Sequence, residues 1–175
     1  GPLTNLDANV VFEFGLVQGE SLGAQFAAFA PAGNYLDPNP SDANGEVRIR
    51  SYEDTPDEPG VNSVAYAYGL NPGETTFFIE WTEEFIRFAQ YQGFVENEEA
   101  GTAIRTSLHE FTPYQLGDVA AFPAPEDNLA VEMRLWLLDS GRDGIGDPPT
   151  YGQDVSVTVR DFAYIPPSEE DPDED

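Results

Sequence analysis

Short stretches that alternate apolar and polar residues recur along the whole chain, and they constrain the fold more than any other feature. In Glu46-Val47-Arg48-Ile49-Arg50 the aliphatic side chains point one way and the charged ones the other. Val155-Ser156-Val157-Thr158-Val159-Arg160 repeats the pattern. A period of two places one dry and one wet face on a β-strand, whereas a helix needs a period near 3.6. Strands are expected at 10–17, 23–30, 46–52, 63–68, 75–81, 85–91, 103–111, 130–138 and 155–165. Turn-rich segments such as Asp37-Pro38-Asn39-Pro40-Ser41-Asp42 and Asp54-Thr55-Pro56-Asp57-Glu58-Pro59-Gly60 separate them. The segment Thr82–89 could start as a capped helix, but its aromatic and β-branched content favours a hairpin. The last strand changes phase near Asp161, which predicts a bulge there. The expectation is an all-β fold, a two-sheet antiparallel sandwich or jelly roll of about 8–10 strands. Residues 1–166 form its single domain and 167–175 an acidic tail or linker; Gly1-Pro2 resembles a protease scar and is left out of the fold.

The 175 residues contain no lysine, seven arginines and 33 acids, for a formal net charge of −26. Such a charge repels nucleic acid and anionic membrane surfaces, and it strains a compact chain through self-repulsion. At molar salt the Debye length falls to about 3 Å and the carboxylate surface becomes tolerable. A halophilic, extracellular, cell-surface or virion setting is the expectation. Cysteine is absent and His109 is the only histidine, which excludes disulfides, thiol nucleophiles, zinc–thiolate sites and multi-histidine metal centres. No apolar run approaches the roughly 18 residues that suggest a membrane-spanning helix. Ser107 and His109 lie two apart, so a dyad can be drawn, but no G-x-S-x-G supports it.

Three segments resemble the concanavalin A-like jelly roll of family 16 glycoside hydrolases. Residues 77–88 resemble that family's I-E-W-T-P-x-x-I-R-F hairpin. Val131-Glu132-Met133-Arg134-Leu135-Trp136 resembles its M-x-L-N-L-W strand. Residues 155–165, with Val159-Arg160-Asp161-Phe162-Ala163-Tyr164, resemble its closing strand. The family's catalytic strand carries carboxylates at alternate positions, on one face, so that one attacks the sugar and another protonates the leaving oxygen. The best counterpart is Asn9-Val10-Val11-Phe12-Glu13-Phe14-Gly15. Asn9 stands at the nucleophile position, Val11 at the helper and Glu13 at the acid/base position. One carboxylate cannot run the retaining mechanism, so the resemblance implies a non-catalytic relative in which Glu13 is at most a weak catalytic candidate.

Two further groups are candidate sites. Trp136 shares a strand face with Glu132 and Arg134, opposite Val131, Met133, Leu135 and Leu137. The second set is the expected core face. The first could be a sugar platform, joined by Arg48 and Arg50, because an aromatic plane stacks on a pyranose while charged groups hydrogen-bond its hydroxyls. The opposing reading is a tryptophan packed beside an ion pair; Trp81, Tyr66 and Tyr68 are expected in the core. Asp139, Asp143, Asp147 and Asp154 gather among flexible glycines, and calcium wants about six to eight oxygens. Calcium is a possible cofactor there, although acidic turns are common in so acidic a chain. Three function classes follow: a glycan-binding module, a structural subunit of a capsid, surface layer or filament whose partners are copies of itself or other structural subunits, and an active β-glucan hydrolase.

Overall fold

A computed structural model describes residues 3–18, 22–29, 44–51, 62–97, 104–113, 129–138, 144–150 and 152–164. Among them are eight strands: β1 (Val10–Gln18), β2 (Leu22–Phe29), β3 (Asn44–Ser51), β4 (Asn62–Gly69), β5 (Thr75–Trp81), β6 (Ile86–Gln92), β7 (Arg105–Phe111) and β8 (Leu129–Leu137). They form a five-stranded sheet of order β4-β3-β2-β1-β8 and a three-stranded sheet of order β5-β6-β7, every strand pair antiparallel. The fold is an all-β two-sheet sandwich, as the alternation predicts.

The period of two sets which residues meet. Phe14 lies opposite Phe26, and Phe26 opposite Val47, so an apolar row crosses β1, β2 and β3. Phe77 of β5 packs 5.0 Å from Phe14 and 4.8 Å from Phe26, and Phe88 of β6 meets Phe26 edge-on at 5.1 Å. These rings join Ala24, Val47, Ile49, Tyr68, Trp81, Ile86 and Phe111 in the inter-sheet core. Each fully buried aromatic or aliphatic side chain contributes about 1.5–3 kcal/mol of transfer free energy. Gly45 lies under the Tyr68 ring, and the Tyr68 hydroxyl donates to the Ala27 carbonyl at 3.3 Å.

The segment after β5 is a hairpin turn. Thr82 N–H donates to the Phe85 carbonyl at 2.9 Å, and its hydroxyl accepts from the Glu84 and Phe85 amides at 3.2 and 3.0 Å. These local bonds hold a four-residue turn tight enough to pair Trp81 with Ile86.

Three expectations are corrected. Residues 153–164 carry no strand ladder, although they alternate as a strand does. The phase change does coincide with a real kink, since Asp161 has φ of 52°. Second, Val131, Met133, Leu135 and Leu137 sit on the side of the large sheet that faces the small one, yet they are 42, 43, 44 and 36% exposed. Among the described residues the small sheet ends at β5, which covers β1 through Phe77 and Phe14, and β8 lies beyond that edge. Third, Trp81 and Tyr68 are buried as expected but Tyr66 is 46% exposed, because β4 is the opposite outer strand. Residues 165–175, which include the expected tail, lie outside the described residues.

Candidate functional site

The odd-numbered positions of β1 and β2 and the even-numbered positions of β8 build the second face of the large sheet. Here Val11 and Ala27 make a small apolar cluster with Trp136 and Leu138. Glu13 is buried beside it, and its Oε2 accepts a hydrogen bond from the Trp136 indole N–H at 3.0 Å. A carboxylate removed from water needs such a donor, since an unpartnered one costs several kcal/mol. Glu13 also lies opposite Arg134 across the β1–β8 ladder. Arg134 Nε donates to Glu132 Oε1 at 2.7 Å, with the guanidinium Nη2 against the same oxygen. Glu132 Oε2 in turn accepts from Gln25 Nε2 at 3.4 Å, and Gln25 is buried. Three neighbouring strands thus bring Gln25, Glu13, Glu132, Arg134 and Trp136 together on one face.

That grouping includes three of the residues named for a sugar platform, together with the catalytic candidate Glu13. Positions 48 and 50 stand opposite Gln25 and Gly23 in the β2–β3 ladder, but the Arg48 and Arg50 side chains lie outside the described residues. Gln25 was not among the sequence candidates. Its signal is a lone amide within the apolar run Gly23-Ala24-Gln25-Phe26-Ala27, in phase with Gly23 and Ala27.

A second feature lies on the side of β8 that carries Leu135 and Leu137. A cleft of about 390 Å³ opens at the C-terminal end of β8, lined by Trp136, Leu135, Leu137, Pro148, Gln153 and Asp154 among others. That size falls at the small end of the roughly 300–1,000 Å³ typical of ligand clefts. Asn9 anchors its rim, donating from Nδ2 to the Pro148 carbonyl at 2.7 Å. The residue at the nucleophile position is thus engaged in holding a loop, and Val11 at the helper position is fully buried in the small cluster. The geometry supplies an aromatic surface with hydrogen-bonding groups around it; Glu13 has no carboxylate at either alternate position of its strand.

Of the four acids named for calcium, Asp147 and Asp154 are described. Asp139 and Asp143 lie outside the described residues. Asp147 donates its amide to the Leu138 carbonyl at 2.6 Å, and Asp154 faces the cleft. Among the described residues, no three histidine or acidic side chains gather as a metal site would require. His109 stacks on Tyr66 at 5.7 Å between ring centroids, and burial holds its imidazole below the ordinary value. The imidazole thus packs on an aromatic ring, which accounts for it without a dyad.

No family model, curated protein or solved structure matches this chain.

Proposed function

We propose that this protein is a non-catalytic carbohydrate-binding module, working at a cell surface or in the extracellular space of a high-salt environment. In this reading it is a degenerate relative of the family 16 glycoside hydrolases. The observation that carries it is Trp136: its indole N–H is fixed by the buried Glu13, on the sheet face where Gln25, Glu132 and Arg134 gather. Fixing the indole through one edge holds the ring in a single orientation, so little side-chain entropy is lost when a pyranose stacks on it. Glu132, Arg134 and Gln25 supply donors and acceptors on that face. A second reading, a self-assembling capsid or surface-layer subunit, draws on the exposed apolar side of β8 and the outer strands of both sheets.

A glycan array at molar salt tests the proposal. The protein should retain oligosaccharides, and Trp136→Ala should weaken retention about tenfold or more, as expected for a lost stacking contact of at least about 1.4 kcal/mol. Retention of no sugar, or equal retention by both proteins, would contradict it. Steady hydrolysis of β-glucans abolished by Glu13→Gln would restore the enzyme class.

A further inference from the structure

The apolar side of β8 and the outer edge of β5 adjoin the same space. β8 presents Val131, Met133, Leu135 and Leu137 toward the small sheet, all substantially exposed. β5 is an outer strand of that sheet, and its second edge carries no strand among the described residues. Because Phe77 of β5 packs over Phe14 of β1, a strand added beside β5 would lie over the neighbouring β8.

Residues 153–164 run close to both surfaces. Val155 lines the cleft together with Leu135 and Leu137 of β8. Arg160 Nη1 stands 3.9 Å from Oε1 of Glu74, the residue immediately before β5. Val155 and Val157 are half-buried while Ser156, Thr158 and Val159 are exposed, so the first two valines of the segment already turn inward. Its valines and threonine favour extended pleated backbone. Residues 155–160 span about 20 Å when extended, which suits the seven residues of β5. Asp161, with φ of 52°, ends any such strand after Arg160.

We propose that residues 155–160 add to the outer edge of β5 as a closing strand, laying Val155, Val157 and Val159 over the apolar side of β8. The arrangement described above is then the open form of a latch. Proximity favours this occupant over a second copy, because Val155 already lines the cleft beside β8 and Arg160 already stands against the residue before β5. The inference is independent of carbohydrate binding.

Hydrogen exchange on the full chain at molar salt, at two protein concentrations with mass followed by light scattering, tests it. The amides of residues 156–160 should exchange at least about a hundredfold more slowly than an unprotected peptide, in the monomer and at both concentrations. Val157→Asp should return those amides to the unprotected rate while β2 stays protected. Should that variant fail to fold, the wild-type protection decides alone. Unprotected exchange in the wild type would overturn the proposal. Slow exchange confined to a dimer would also overturn it, assigning the apolar side of β8 to a second copy.

Discussion

Asp7 shows how much one side chain can fix. Its Oδ1 accepts from the Asn9 amide at 3.0 Å, and its carboxylate also takes the Thr150 amide at 2.9–3.0 Å and the Thr150 hydroxyl at 3.0 Å. It thereby ties the start of β1 to the loop that walls the cleft. The Asn9 amide bond is the largest cause and burial opposes it; with the smaller contributions of the two Thr150 bonds, the carboxyl is held below the ordinary 3.8. A group whose folded pKa is depressed stabilises the fold above its unfolded pKa and loses that contribution as pH falls through the folded one. Asp7→Asn should therefore lower stability at neutral pH by about 1 kcal/mol. The difference from wild type should vanish below the usual carboxylate range, which thermal unfolding against pH will show. Nothing in the sequence marked Asp7 out from 32 other acids, because its partner lies 143 residues away. The same is true of Glu13: alternation located its strand, but its bond to Trp136 spans 123 residues.

At the scale of elements, seven strand positions were legible because period two is a local property, and β8 was legible as a strand whose phase was also right. Its burial was not. Whether Met133 and Leu135 are covered depends on how far the opposing sheet extends, and that is set by strands distant in sequence. Residues 153–164 show the reverse case: strand-like alternation without a strand ladder. The outer face of the small sheet gives a testable element. Arg87 on β6 bridges Glu80 on β5 at 2.8 Å and Glu110 on β7 at 3.0 Å, with its guanidinium 4.4 Å over the Phe85 ring. Arg87→Met should destabilise the protein by about 0.5–1 kcal/mol in dilute buffer, since two carboxylates lose their shared cation on neighbouring strands. The deficit should shrink at molar salt as those charges are screened, a trend that denaturant titrations at two salt concentrations will resolve.

At the scale of the whole molecule, a net charge of −26 on one sandwich makes salt part of its stability. The unfolding midpoint should rise steeply from dilute to molar sodium chloride, each 1 kcal/mol gained appearing as about 2–4 °C for a chain of this length. A midpoint independent of salt would remove the basis for a high-salt setting. Against such a background of acids, carboxylates say little about a site, and the two tryptophans say more. Trp81 is buried in the inter-sheet core, whereas Trp136 bonds Glu13 on the other face of the large sheet. In a Trp81→Phe protein at molar salt, Trp136 is the sole indole, and its fluorescence reports directly on the face it shares with Glu13. Titration with an oligosaccharide retained on the array should change the Trp136 emission saturably, at the concentration where binding saturates. Binding that leaves the emission of a folded protein unchanged would place the sugar elsewhere and contradict the account.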